Sequence, residues 1–240
     1  MEFQILGPLQ VLDEGRPLRL GGAKQRSTLA ILLLGRNRVV ARDRLIEGLW
    51  GASPPPTAGA TLDTYLSRLR RLLPGDAGAA RLVTQPPGYR LRVEAGELDL
   101  ERFETLLDRA RRGYASGDAR AAARDLREAL SLFRGTPLED LVHAPFAQAE
   151  IGPLEELRLS ALERRLEADL ADGRDAELVS ELEALTARHP FRETLWAQLM
   201  LALYRAGRQA EALNAFDRAR RTLAEEFGLE PGQALKQLQW

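Results

Sequence analysis

The spacing of apolar positions changes along this chain and divides it in two. Phe3-Gln-Ile-Leu-Gly-Pro-Leu-Gln-Val-Leu12 reads as two short strands broken at Gly7-Pro8, and Arg16-Pro-Leu-Arg-Leu20 as a third after an Asp13-Glu-Gly15 turn. Ala23 to about Asn37 predicts a helix, apolar at Leu29, Ala30, Leu32, Leu33 and Leu34. Val39-Val40 is a short extended piece. A second helix, opened by Ala41 or Arg42, covers Asp43 to Trp50, and Gly51 stops it ahead of a stiff Ser53-Pro-Pro-Pro56 turn. A third lies within Thr57 to Leu73 and is ended by Pro74-Gly75. Two β-rich runs around Pro86-Pro87-Gly88 follow, within Leu82 to Val93. Beyond Glu94-Ala-Gly-Glu-Leu-Asp99, a plausible domain joint, every segment predicts helix. These are Glu101 to Ala115, Ala119 to Phe133, Pro153 to Ala171, Ala176 to Arg188, Glu193 to Ala206 and Gln209 to Phe227.

The third helix is the most informative element. Leu62, Leu66, Leu69 and Leu73 fall at the i, i+4, i+7, i+11 spacing of one helical face. At roughly 100° per residue, Thr64, Ser67, Arg68 and Arg71 point the opposite way, with Thr61 at their edge and Tyr65 on the flank. Arginine offers bidentate donors to guanine edges and to phosphate, and Ser and Thr serve either. An Arg-rich helix face seen alone is more often simply solvated. Here a hairpin follows at once, the order of a winged helix-turn-helix. The helix would enter the major groove, and Arg90 and Arg92 would lie on the wing strand with Tyr89 at the turn. Lys24 and Arg26, at the start of the first helix, are candidates for phosphate contact. Trp50 suits packing better than contact.

The second part carries an internal repeat. Gly173-Arg174 and Gly207-Arg208 are 34 residues apart, and in the same register Ala168 matches Ala202, Ala176-Glu177 matches Ala210-Glu211, and Leu182 matches Phe216. With Pro190, Trp196, Leu199, Ala212 and Ala219 this fits a tetratricopeptide pattern. The Gly117 hairpin is a looser third unit. The repeat is structural in the first instance; a partner-binding groove is an alternative that the pattern leaves open. The predicted fold is therefore an α+β winged helix-turn-helix domain over 1–95, followed by an all-α tetratricopeptide-like domain over 96–240.

Charge supports the division. The net charge of −1 conceals a first part, residues 1–95, with 14 Lys/Arg against 8 Asp/Glu, and a second part, residues 96–240, with 20 against 27. A basic domain joined to an acidic one is expected when only the first meets a polyanion. With 45% hydrophobic residues and 29% charged residues the chain can bury a sizeable core. No apolar run approaches the ~18 residues of a membrane helix, and no signal peptide is evident. The absence of cysteine excludes disulfides, thiol catalysis and cysteine zinc sites, and fits a reducing cytoplasm. The two histidines, His143 and His189, have no neighbours at a metal spacing. No nucleophile elbow is present, and Gly21-Gly-Ala-Lys24 lacks the pattern of a phosphate loop. No enzyme, cofactor or metal is expected.

The chain resembles the Streptomyces antibiotic regulatory proteins, which join an OmpR-like winged helix to an all-helical bacterial transcriptional activation domain. The resemblance is carried by Phe3-Gln-Ile-Leu-Gly-Pro-Leu9, Lys24-Gln-Arg26, Leu45-Ile-Glu-Gly-Leu-Trp50, Thr64-Tyr-Leu-Ser-Arg-Leu-Arg-Arg71 and Pro87-Gly-Tyr-Arg-Leu91. In the second part Leu98-Asp-Leu-Glu-Arg-Phe103, Phe133-Arg-Gly135 and Glu226-Phe-Gly-Leu-Glu-Pro231 carry it. It implies a cytoplasmic, nucleoid-associated transcription activator that binds double-stranded DNA at promoter direct repeats. It further implies contact with RNA polymerase, including its sigma factor, and control of secondary metabolism. A monomer or weak dimer that pairs on DNA is expected. Relatives usually continue past Leu235-Lys-Gln-Leu-Gln-Trp240, so the sequence reads as a fragment of a longer regulator or as a short member. The competing reading is a helical-repeat interaction module of a larger signalling regulator, whose winged domain binds protein.

Overall fold

The computed structural model describes residues 1–73 and 80–238, apart from the side chain of Phe227. Pro74-Gly75, expected to end the third helix, and Gln239-Trp240 lie outside the described residues. Three strands open the chain: β1 (Glu2–Gln4), β2 (Gln10–Asp13) and β3 (Arg16–Pro17). They form an antiparallel sheet in the order β1-β2-β3, with Phe3 opposite Val11 and Leu12 opposite Pro17. Phe3 and Val11 are buried, so the period of two sends one face inward. β3 is shorter than the five residues expected, Arg16–Pro17, although the Leu18 N–H still donates to the Val11 carbonyl at 2.9 Å.

The winged helix follows. Its elements are α1 (Ala23–Leu34), β4 (Val40–Ala41), α2 (Arg42–Trp50), α3 (Ala58–Leu72), β5 (Leu82–Gln85) and β6 (Gly88–Leu91). α1 stops three residues earlier than expected. Asn37 leaves the helix with φ 61°, donates from its amide to the Val93 carbonyl at 2.8 Å and accepts the Val93 N–H at 3.0 Å. The wing sheet runs β4-β6-β5, all antiparallel. Gly88 makes this order possible: a Cβ there would sit 1.9 Å from the Val40 carbonyl oxygen. Leu62, Leu66 and Leu69 of α3 are 0% exposed, which fixes the rotation of that helix about its axis.

The rest of the chain is helical: α4 (Asp99–Ala115), α5 (Ala119–Ser131), a 3-10 turn (Glu139–Leu141), α6 (Ala147–Ala171), α7 (Asp175–Arg188), α8 (Glu193–Arg205), α9 (Gln209–Phe227) and α10 (Gln233–Gln237). α6 corrects an expectation. It starts at Ala147 rather than Pro153, with Pro153 inside it. A proline reads as a helix start because it lacks an N–H, yet here the helix runs through it and forgoes one backbone bond, to the Ala149 carbonyl. α10 is separate from α9, which ends at the left-handed Gly228.

Two compact units emerge, residues 1–106 with 128–158, and residues 107–127 with 159–240. The joint expected after residue 95 lies inside the first. Asp99, 4% exposed, accepts the N–H groups of Ile5 and Leu6, each at 2.9 Å. Burial raises its carboxyl above the ordinary range, and the N–H groups of Ile5, Leu6 and Leu100 oppose that rise. Within the same unit Arg26 pairs with Asp140, and the rings of Phe103 and Phe133 meet edge to face at 5.2 Å. In the second unit the helix pairs α6/α7 and α8/α9 turn at Gly173 and Gly207, whose φ values of 82° and 77° suit glycine. Leu199, Ala212, Phe216 and Ala219 are buried in one core with Trp196, whose indole N–H donates to the Pro190 carbonyl at 2.8 Å. Asp169, 1% exposed, gathers Arg127, Arg165 and Arg174 from α5, α6 and the α6–α7 turn.

Candidate nucleic-acid interface

With the leucines of α3 buried, its opposite face is open. Thr64, Ser67, Arg68 and Arg71 are exposed, while Thr61 and Tyr65 on the edge are half-buried. The Thr64 hydroxyl donates to the Ala60 carbonyl at 3.1 Å and keeps its acceptor capacity outward. Among the described residues neither Arg68 nor Arg71 has an ion pair or a hydrogen-bonded partner for its guanidinium. Their ten N–H donors are thus available to an external acceptor.

The third arginine of this run is placed differently. Arg70 Nε donates to the Leu82 carbonyl at 3.2 Å and its Nη2 to Thr84 Oγ1 at 2.8 Å, fastening α3 to β5. Its guanidinium lies 5.9 Å from the centre of the Tyr89 ring. Asp63, on the same flank as Arg70, takes a fork from Arg42, the first residue of α2. Nη1 and Nη2 reach its two oxygens at 2.6 and 2.9 Å. Arg42 also donates to the Tyr89 hydroxyl at 2.6 Å and to the Gly59 carbonyl at 2.9 Å. The bond to Asp63 holds the Arg42 guanidinium above its already high ordinary range, and the same bond holds the Asp63 carboxyl below the usual carboxylate range.

The wing differs from expectation in two respects. Tyr89 is not at the turn: Pro86-Pro87 make the turn between the paired Gln85 and Gly88, and Tyr89, 8% exposed, follows on the strand. β6 is the central strand, so Tyr89 pairs with Val40 on one side and Thr84 on the other. Arg90 on β6 and Arg92 alternate with the buried Tyr89, Leu91 and Val93 and are half-buried. But β6 ends at Leu91, so Arg92 lies just past the wing strand rather than on it, its N–H donating to the Arg81 carbonyl at 2.8 Å. Arg90 Nε is buried without a partner.

Lys24 and Arg26 are engaged within the first unit. Lys24 Nζ donates to the Leu49 carbonyl at 2.6 Å, at the C-terminal end of α2, and lies 5.3 Å from the centre of the Trp50 ring. Arg26 donates to the Leu9 carbonyl and Asp140, both at 2.8 Å. The structure therefore gathers Thr61, Thr64, Tyr65, Ser67, Arg68 and Arg71 on one helix beside a hairpin bearing Arg90 and Arg92. Arg42, Asp63 and Arg70 were not singled out by the sequence. The one local signal was the seven-residue spacing of Asp63 and Arg70, which puts both on one flank.

Among the described residues no group of three or more His, Cys, Asp or Glu is arranged to hold a metal, and no helix is long and apolar enough to cross a membrane.

Comparison with known proteins gives concordant matches. Residues 15–91 match the family model "Transcriptional regulatory protein, C terminal", and residues 98–240 match "Bacterial transcriptional activator domain". The chain is 40% identical to the regulatory protein DnrI of Streptomyces peucetius, covering 100% of this chain and 90% of DnrI. It is 45% identical to the regulatory protein AfsR of Streptomyces coelicolor, of which it spans 24%. The transcriptional regulatory protein EmbR of Mycobacterium tuberculosis is 41% identical over 99% of this chain, which spans 62% of EmbR's length. The solved structure of that EmbR, in complex with a low affinity phosphopeptide, matches with a TM-score of 0.95 over 99% of this chain and 63% of EmbR.

Proposed function

The chain belongs to the Streptomyces antibiotic regulatory proteins, a family of transcriptional regulators, and from that premise we propose that it reads DNA through the outward face of α3. The observation that carries this is the sorting of arginines on one helix. Arg70 is consumed by the fold, whereas Arg68 and Arg71 stand on the open face with Thr64 and Ser67. A helix anchored in this way can lie in the major groove, with guanidiniums on guanine edges or phosphates and hydroxyls on either. Thr61 and Tyr65 border the groove-facing surface. Arg90 on the wing strand and Arg92 just past its end add positive charge for the flanking backbone. Lys24 and Arg26 add to the field of the basic part rather than to contacts, since Lys24 Nζ and Arg26 Nε and Nη2 already have partners. Residues 1–95 form the DNA reader. Residues 96–240, with their excess of acidic groups, are the activation part, which avoids DNA and meets RNA polymerase and its sigma factor.

The protein works at promoters in the cytoplasm, and the family expectation for its targets is secondary metabolism. Two copies, monomeric or weakly dimeric in solution, bind side by side on direct repeats about one DNA turn, ~10–11 bp, apart. Selection of bound duplexes from a random pool, at near-physiological salt, tests this. The expected result is a short motif repeated in one orientation at that spacing. Inverted repeats would overturn the head-to-tail arrangement. Salt-sensitive background without enrichment would sink the DNA-reading proposal and favour the protein-interaction reading.

A further inference from the structure

A reading helix works only if its roll and tilt are fixed, because base-edge contacts tolerate displacements of about 0.5 Å. The buried leucines set the roll of α3 against the core, but they do not by themselves tie it to the wing. Arg70 ties it to the edge strand β5, and Arg42 ties it to the central strand β6. From the start of α2 it donates to the Gly59 carbonyl and both Asp63 oxygens on α3, and to the Tyr89 hydroxyl on the wing's central strand. Its backbone N–H donates to the Pro87 carbonyl at the wing turn, at 3.2 Å. Four bonds thus draw on Nη1 and Nη2, leaving little capacity for phosphate. Tyr89 is held again at its ring face by Arg70.

We propose that Arg42, through Asp63 and Tyr89, is a positioning residue that sets the angle between α3 and the wing, and so decides sequence preference without touching DNA. This rests on the DNA-reading proposal. A planar guanidinium suits the task because its rigid fork fixes the directions in which it meets acceptors on two elements, whereas the rotatable ammonium of a lysine does not.

The test measures binding of the 240-residue chain to a selected duplex and to a shuffled duplex across a salt series. Wild type is compared with Arg42→Ala/Asp63→Ala, which removes the pair without changing net charge, and with Tyr89→Phe, which removes only the shared hydroxyl. The preference for the selected duplex should fall about tenfold to a hundredfold in the double variant and about three- to tenfold in Tyr89→Phe. Affinity for the shuffled duplex should stay within about twofold and the salt slope should not change. Equal losses on both duplexes would reduce the cluster to a purely stabilising role and overturn the proposal. A slope smaller by about one would make Arg42 a phosphate contact, with the same consequence, as would an unchanged preference. If circular dichroism shows the double variant unfolded, Tyr89→Phe decides by the same ratio. Wild type without any preference would remove the DNA-reading proposal itself, a result distinct from a variant that keeps the wild-type ratio.

Discussion

Arg68, Arg70 and Arg71 are one residue type within four positions, and their surroundings give them different work. Replacing Arg71 by Ala should weaken binding to the selected duplex by about 1–3 kcal/mol and relax preference at one base position if it reads a base. Titration against duplexes varied at each position measures this, and equal affinity of variant and wild type at several salt concentrations would remove Arg71 from the interface. Arg70→Ala instead frees the Leu82 carbonyl and Thr84 hydroxyl, a defect of folding. The Arg42–Asp63 pair carries a pH signature. Asp63 has its carboxyl lowered by Arg42, so its contribution to stability is present above the unfolded value of about 3.9 and is lost as pH falls through the lower folded value. The difference in denaturation midpoint between wild type and Asp63→Asn should be steady from about pH 7 to 5 and shrink below about pH 4. A difference that grows on acidification would contradict the assignment. Asp63 is more than half exposed, so the effect is small.

Among the elements, the wing sheet depends on one missing methyl group. Gly88→Ala would drive a Cβ into the Val40 carbonyl oxygen, so β4 must move away from β6. Loss of about 2 kcal/mol or more of stability is expected, with weakened protection of the β6 amides in hydrogen exchange. Normal protection at Val40 and Tyr89 in the variant would show that the strands can part without consequence. α3 rests on a different kind of support, the packing of Leu62, Leu66 and Leu69, whose truncation opens cavities rather than clashes. The α6–α9 pairs show the same logic at the level of a repeat: small residues at Ala212 and Ala219 let helices approach, and Trp196 and Phe216 fill the space between.

For the molecule as a whole, folding and charge divide the chain at different places. The basic part ends near residue 95, but the first compact unit takes in residues up to 106 and 128–158. Asp99 is the hinge of that difference, since its buried carboxylate satisfies the amides of Ile5 and Leu6. Asp99→Ala should lower stability by about 1–3 kcal/mol through those orphaned donors, read as a shift in denaturant midpoint at constant slope. An unshifted midpoint would mean that the amides find other partners.

Local chemistry determined much of this protein. Leucine spacing gave α3 and its outward face, alternation gave β1 and β2, the Pro-Pro-Gly run gave the hairpin, and a 34-residue glycine register gave the helix pairs. Such patterns are legible because periodicity is a property of neighbouring residues. Only the tertiary structure decided which polar side chains remain available. Arg42, Asp63 and Tyr89 meet across 21 and 26 residues, Arg26 reaches Asp140 across 114, and Asp99 reaches Ile5 across 94. No local pattern encodes such meetings. They follow from how the elements pack, and the need to satisfy buried or half-buried polar groups then selects the partner.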